Sequence, residues 1–457
     1  MCSVNDAEDE LIPRGIGKPE SIKFCMKCQN DAVILVRARD PLCRSCFMNY
    51  FVHKFRATLG KSKAVRQGEK VLVAFSGGPS SCCLLHLIKE GLSEGAHKKL
   101  RFVPEILFIN EGATLGWSAE KIEEVNNDVK IFASKLGFSI DIVALEQLYS
   151  SNVENQSSSE NNEKISDEDD LGTCCGSGGC KVDTNASESE ASATTQLVRS
   201  FAALKSLTAK QDFVFSLRNN LLRDYAKVKQ CTKIIVAETS TRLSIKLLLN
   251  ISHGRGGSLP LDVGVSDSRD GQVAAIRPMR ELTSKEVAFY NRMQSVEPVV
   301  TESMDTMAAD NASLQKQTEA FVTNLQASFP STVSTVFRTG DKLSINDELM
   351  STDENCIMCK APLAEVKSSV SQVTKATEEM ELQGCCGKGD GSCQRSSKEM
   401  PRITKEDVIA RLCYGCRLTF KDMGNDTSHL PPFVLQEFER ASRRSRMKDS
   451  IQEFLID

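Results

Sequence analysis

No apolar run in the 457-residue sequence approaches the roughly 20 residues that a bilayer-spanning helix needs. The first ten residues are acidic and lack the basic-then-apolar pattern of a secretory leader. These absences predict a cytoplasmic protein with no membrane partner, a nuclear location staying open. No sign of charge dominates either, since the formal net charge is −4. Ten acidic and two basic residues fall between Ser151 and Ser192, a local −8, so the remainder stands near +4. The overall balance therefore does not exclude a nucleic-acid partner, and local basic clusters carry that question. Hydrophobic residues make up 40% and charged residues 26%, which fits a soluble globular chain with room for two or three domains.

Cysteine, by contrast, is plentiful at 18 residues. Chain length and the missing leader argue against a disulfide framework. Eight of the cysteines form four Cys-x-x-Cys pairs, the spacing of metal ligands. Cys25 and Cys28 are followed, after fourteen residues, by Cys43 and Cys46. Between the pairs, Ala32 to Val36 reads as one strand of a hairpin. This is the plan of a zinc ribbon, with four thiolates closing a structural site. A redox pair would need only one such motif beside a βαβ unit. Cys356 and Cys359 precede Cys413 and Cys416 by 53 residues. A second ribbon with a long insertion at its tip accommodates that gap, because added loop length costs little closure entropy; two unrelated thiol pairs are the alternative. Cys174, Cys175 and Cys180 lie in a Gly-rich stretch with no fourth ligand nearby; an accessory loop is the preferred reading, a metal or redox site the alternative, while Cys385, Cys386 and Cys393 inside the late insertion are rival ligands to the late pairs.

Lys70 to His86 is the centre of the fold pattern. Val71 to Phe75 reads as a buried strand, Ser76-Gly77-Gly78 breaks it, and Ser80 to Glu90 reads as a helix. Strand, Gly-rich turn and helix start form an anion cradle, in which unpaired N–H groups face a phosphate. No Gly-Lys-Ser/Thr follows, which excludes a Walker A loop, and the glycine spacing excludes the dinucleotide fingerprint. Ser76, Gly77, Gly78, Ser80 and Ser81 are the candidate nucleotide-binding residues; an ordinary strand-to-helix turn is the bland reading. Strand Val103–Asn110, helix Trp117–Leu136 and strand Ser139–Leu145 complete a βαβαβ unit, hence a doubly wound parallel sheet of the α/β class. Helix Lys210–Gln230, strand Lys233–Ala237, helix Leu243–Ser252 and a capping box at Thr283 and Glu286 extend it.

Ahead of the sheet, Phe47 to Arg56 interleaves aromatic and basic residues on a helix, and Lys61, Lys63 and Arg66 follow. Lys54, Arg56, Lys61, Lys63 and Arg66 are the candidate contacts to a nucleic-acid phosphate backbone; an aromatic stripe packed on the ribbon, with a solvated basic face, is the alternative. His53 is assigned no chemistry. The pattern divides the chain into a flexible tail (1–20), an N-terminal zinc ribbon (21–50) and an α/β domain (51–300) with a disordered acidic insertion (150–195). A helical connector (301–350), a C-terminal ribbon with its own insertion (351–420) and a tail (421–457) follow. In that tail Arg440, Arg443, Arg444, Arg446 and Lys448 read as a solvated face, and Ile451, Phe454, Leu455 and Ile456 as a docked end.

The Ser-Gly-Gly loop resembles that of the PP-loop ATP pyrophosphatases, with Ser80 at the position of their Asp. Joined to two Cys modules and a basic helix, it resembles the tRNA 2-thiolation enzymes, and within them the cytoplasmic tRNA 2-thiolation protein 2 family. Val73 to Ser81, the four Cys pairs, Arg277-Pro-Met-Arg280, Lys285 to Val287, Tyr290 and Ile451 to Ile456 carry the likeness. It implies a PP-loop, adenine nucleotide alpha hydrolase-like fold, structural zinc and possible ATP. It further implies a part in 2-thiolation of the wobble uridine of cytoplasmic tRNAs (5-methoxycarbonylmethyl-2-thiouridine formation). The implied partners are tRNA, a paralogous catalytic thiolation subunit in a heterodimer, and a thiocarboxylated ubiquitin-related modifier as sulfur donor. Catalytic relatives carry thiols and carboxylates that are missing here: Phe213 to Asn220 and Met293 to Thr301 have no Cys, and Ala237 to Arg242 lacks the His and Asp. Sulfur transfer needs a thiolate and ATP chemistry needs carboxylates for magnesium, so the chain reads as a degenerate, non-catalytic subunit. The rivals are an active sulfurtransferase using Cys174, Cys175 or Cys180, and a zinc-ribbon interaction protein with no tRNA role.

Overall fold

A computed structural model describes residues 24–36, 40–62, 64–95, 99–150, 184–300, 302–309, 311–344, 354–363, 404–421, 423 and 429–452. The stretch read as a flexible tail, Lys63, most of the acidic insertion and the Cys-rich stretches 174–180 and 385–393 lie outside the described residues.

Six strands form one sheet: β3 (Lys70–Phe75), β4 (Val103–Asn110), β5 (Asp141–Ala144), β6 (Lys233–Ile235), β7 (Ser266–Asp267) and β8 (Ala274–Ile276). The order is β5-β4-β3-β6-β8-β7, parallel throughout except for the β7 edge. A separate antiparallel pair, β1 (Ile34–Val36) and β2 (Asp40–Leu42), belongs to the first Cys module. The sheet is the doubly wound α/β fold that the βαβαβ pattern predicts, with β3 at the point where the chain order reverses. Ligands in such sheets sit beyond the carboxyl ends of the strands at that point, which is where the Ser-Gly-Gly loop emerges.

Alternation along β3 and β4 sends side chains to two cores. Val71, Val73, Phe75, Ile106 and Phe108 face one side with the helix Pro79–Leu92, where Leu84, Leu85 and Ile88 are buried. Leu72 and Leu107 face the other, against Phe213, Leu217 and Leu221 of the helix Leu207–Val228. Each Cys module is built into a different core: Cys25 and Cys43 into the first, Cys356 and Cys416 into the second.

Three expectations change. The helix Thr184–Ala202 starts inside the stretch read as a disordered insertion through residue 195, because Ala193 and Leu197, one turn apart, are buried in the second core. The single helix expected over Ser303–Ala327 is two, Met304–Met307 and Leu314–Ser328. The Ser303 and Ser313 side chains each cap a new N-terminus. The C-terminal tail is the helix Pro432–Gln452, anchored by the buried Val434, and its Ile451 is exposed rather than docked; residues 453–457 lie outside the described residues.

Candidate functional site

The Ser-Gly-Gly loop closes on itself. Ser76 Oγ donates to Ser81 Oγ at 3.2 Å, and Ser81 Oγ donates to the Gly78 carbonyl at 2.9 Å. Gly78 is the N-cap, with Pro79 opening the helix Pro79–Leu92. Pro79 has no N–H, and those of Ser80 and Ser81 belong to the first turn, where a helix supplies no acceptor. Gly77 has φ +72°, a backbone that favours glycine. Its carbonyl accepts from the N–H groups of Val299 (2.8 Å) and Val300 (3.0 Å), and Asn291 Nδ2 donates to the Pro79 carbonyl at 2.9 Å. A segment from beyond the helix Ser284–Gln294 is thus strapped across the cradle, and the Val300 side chain lies over Gly77.

Ion pairs line the carboxyl edge around this loop. Arg218 forms a two-pronged pair with Glu111, just beyond β4, its Nη2 at 2.8 Å. Glu238, just beyond β6, pairs with Arg277 and accepts from Lys246 Nζ at 3.0 Å. Burial would raise the Glu238 carboxyl, but Lys246 and Arg277 outweigh it and hold it at about 2. Asp305 accepts from Gln211 and Gln315, and Arg242 stands 3.6 Å from it. Carboxylates that the sequence pattern leaves unrecognised therefore are present at this edge, each engaged by a cation. The described cysteines outside the two four-Cys groups, Cys82, Cys83 and Cys231, are buried. Burial pushes the Cys82 thiol up to about 12 and raises the other two, so none is held as a thiolate.

The Cys pairs converge. The sulfurs of Cys25, Cys28, Cys43 and Cys46 lie within 4.8 Å of one another, as do those of Cys356, Cys359, Cys413 and Cys416. Sγ separations of 3.4 Å for Cys28–Cys43, and 3.6 Å for Cys28–Cys46 and Cys359–Cys413, approach the roughly 3.8 Å expected of four thiolates 2.3 Å from one centre. Hydrogen bonds from the Ser45 hydroxyl and the Cys46 N–H lower the Cys43 thiol to about 6. In the late group, hydrogen bonds from the other three thiols hold Cys413 well below its ordinary value. Both donor sets fit a soft tetrahedral ion with all four positions filled by protein, which leaves no open position for catalysis.

The late group is tied to the sheet by a residue that motif reading passes over. Arg255 donates to both oxygens of Asp212, at 2.5 and 2.6 Å, and its Nη2 lies 3.6 Å from Cys416 Sγ. Thr419 Oγ1 donates to the same Asp212 at 2.5 Å. A Cβ on Gly415 would stand 2.5 Å from Arg255 Nε, so the Tyr414-Gly415-Cys416 knuckle sits directly on the arginine. Asn220 Nδ2 donates to the Met358 carbonyl at 2.8 Å, and Phe213 meets Phe420 edge-on at 5.9 Å. In sequence Arg255 sits in His253-Gly-Arg-Gly-Gly257, a Gly-rich stretch after a helix that carries no more than a stop signal.

In the helix Arg44–Ser62, Phe47, Phe51, Phe55 and Leu59 form a buried stripe at four-residue spacing. Phe51 stacks on Tyr290 at 4.5 Å, Tyr290 bonds His86 at 2.9 Å, and Tyr50 donates to Glu286 at 3.1 Å. The aromatics are thus core. Of the basic residues, Lys54 pairs with Glu281 at 3.1 Å, Arg56 is half-buried, and Arg66 is exposed beyond the helix. Lys61 is the helix's penultimate residue, and Lys63 lies outside the described residues.

A profile described as cytoplasmic tRNA 2-thiolation protein 2 matches residues 313–418, the segment holding the Leu314–Ser328 helix and the late Cys group. The chain is 39% identical to cytoplasmic tRNA 2-thiolation protein 2-A of Xenopus laevis, over 95% of this chain and 94% of that protein. It is 36% identical to cytoplasmic tRNA 2-thiolation protein 2 of Homo sapiens, over 100% and 98%. Among solved structures, the U34-tRNA thiolase NcsA from Methanococcus maripaludis with its [4Fe-4S] cluster superposes with a TM-score of 0.50. At 14% identity it covers 75% of this chain and 99% of its own, a likeness of fold.

Proposed function

Since the chain belongs to the cytoplasmic tRNA 2-thiolation protein 2 family, we propose that it serves wobble-uridine 2-thiolation of cytoplasmic tRNA as a non-catalytic subunit, binding tRNA and a paralogous catalytic subunit. Sulfur then comes from a thiocarboxylated ubiquitin-related modifier, and the chain works in the cytoplasm; no helix among the described residues is long and apolar enough to cross a membrane. The observation that carries this reading is the carboxyl edge of the sheet. Glu111, Glu238 and Asp305 are engaged by Arg218, Lys246, Arg277 and Arg242, and no described thiol outside the four-Cys groups is exposed. Carboxylates already paired with cations are not presented to a magnesium ion beside a triphosphate, and a sulfur relay needs an accessible thiolate.

Ser76, Gly77, Gly78, Ser80 and Ser81 keep the form of a phosphate cradle, with the Val299–Val300 strap on one side of it. The reading assigns them nucleotide occupancy at most, without turnover. Both four-Cys groups are assigned structural zinc, the ion that suits four thiolates and needs no redox role. Lys54, Arg56, Lys61, Lys63 and Arg66 are assigned to the tRNA backbone. Thiolation of a tRNA transcript by the purified chain, alone and with its paralogue, tests the proposal. Activity is expected only from the pair; sustained thiolation by this chain alone rejects it.

A further inference from the structure

The helix Pro432–Gln452 divides into two parts. Its first two turns are anchored. Val434 is buried, Glu437 pairs with Lys360 at 2.5 Å beside the Cys356–Cys359 knuckle, and the Arg411 guanidinium lies 5.9 Å over the Phe438 ring. This part also packs against the turn Leu145–Tyr149, immediately beyond the carboxyl end of β5. The helix therefore leaves the body of the protein from the same edge of the sheet at which the Ser-Gly-Gly loop emerges.

Its second part is basic and bare. Arg440, Arg443, Arg444, Arg446 and Lys448 are exposed. Arg440 and Arg443 have acidic neighbours one turn back, Glu437 at 3.0 Å and Glu439 at 3.6 Å, whereas Arg444, Arg446 and Lys448 form no ion pair among the described residues. A purely solvated helix commonly interleaves charges of both signs at (i, i+4). Here four cations fall within six residues, 443 to 448, with no acid among them. The exposed apolar residues in this part, Met447 and Ile451, are too few for the broad apolar face with which a helix enters a lipid interface. Thirteen residues from Arg440 to Gln452 give a rod about 20 Å long, the reach of several phosphates along an RNA strand.

We propose that Arg443, Arg444, Arg446 and Lys448 form a phosphate-contact surface for the tRNA backbone, carried on a helix whose base is clamped to the late Cys group. The proposal rests on the tRNA-binding reading above and adds a surface that the N-terminal basic residues do not supply. It predicts a polyelectrolyte signature: each phosphate contact adds about 0.9 to the slope of log affinity against log salt.

The test is binding of an unmodified tRNA transcript to the full chain between low and physiological salt, for the wild type and for R443Q/R444Q/R446Q/K448Q. With about four phosphates no longer neutralised, the Gln variant is expected to show a slope flatter by about 3.6 and binding weaker by roughly a thousandfold at physiological salt. The charge-preserving R443K/R444K/R446K is expected to keep both slope and affinity, which separates charge from helix integrity. A Gln variant that binds with unchanged slope overturns this surface while leaving the tRNA-binding reading intact. A wild-type chain that binds no tRNA overturns that reading and the surface with it. Wild-type binding to vesicles containing phosphatidylserine, lost in the Gln variant while tRNA binding is unaffected, overturns the assignment in favour of a lipid surface.

Discussion

Removing the Arg255 side chain should loosen the late Cys group from the sheet at a cost that can be worked out from its partners. The Arg255 and Asp212 side chains are 9% and 7% exposed. In Arg255→Met, Asp212 keeps the Thr419 hydroxyl and loses both guanidinium bonds, and Cys416 loses the N–H facing its sulfur. Breaking one partner out of a buried pair costs about 3–5 kcal/mol, chiefly because a charge is left uncompensated. Urea unfolding of the full chain, with metal release followed by a chromophoric chelator, should show R255M less stable by that amount and faster to surrender one metal equivalent. D212L/R255M buries no charge and should recover to within about 1–2 kcal/mol of the wild type. The reasoning is refuted if R255M lies within about 1 kcal/mol of the wild type, or if the double variant equals the sum of the singles.

Gly77→Ala places a Cβ 2.4 Å from Val300 Cγ2 at a residue with φ +72°, so it should cost about 2–4 kcal/mol and free the strap. Gly60→Ala, within a helix and meeting nothing within 4 Å, should instead stabilise by about 0.5–1 kcal/mol; thermal unfolding of both checks the contrast. Glu238 is held at about 2 against an ordinary 4.5, so it stabilises the fold fully above pH 4.5. About 3 kcal/mol should be lost as pH falls from 4.5 through 2. Glu238→Gln should remove that part of the acid-unfolding slope, and an unchanged slope would count against the Lys246 and Arg277 pairing. Metal analysis of the purified chain should find two zinc equivalents, Cys25→Ser and Cys413→Ser each removing one; a single equivalent in the wild type would contradict two closed sites.

The long elements were legible in the sequence because their signals are local. Val103–Asn110 is bounded as the apolar run predicts, and Thr283 with Glu286 forms the capping box its spacing announces. The four Cys pairs announced two metal sites, and the structure unites Cys356 and Cys359 with Cys413 and Cys416. What stayed hidden depends on distant partners. Strands β7 and β8 have two and three residues, too few for a period. Arg255 is indistinguishable from any loop arginine until Asp212 and Cys416 meet it, and Glu111 and Glu238 look like surface acids until Arg218 and Arg277 close on them. The aromatic residues of the basic helix were ambiguous for the same reason, since it takes Tyr290 and the Val71–Phe75 strand to show that their face is core.

The placement of the two Cys modules explains how the sheet is held from both faces. One is fused to the Val71–Phe75 face of the sheet through Phe47, Phe51 and Phe55, the other to the Leu72–Leu107 face through Phe213 and Phe420. Each closed four-thiolate site would contribute binding free energy to folding, and together they clamp the sheet from both sides. A nucleotide is then not required to order the loop: the Val299–Val300 strap and the Ser76–Ser81 bond already do so. Once the loop is held by the chain itself, carboxylates at the carboxyl edge are free to pair with arginines. Such pairs stabilise the edge, an arrangement that accords with the non-catalytic role proposed above.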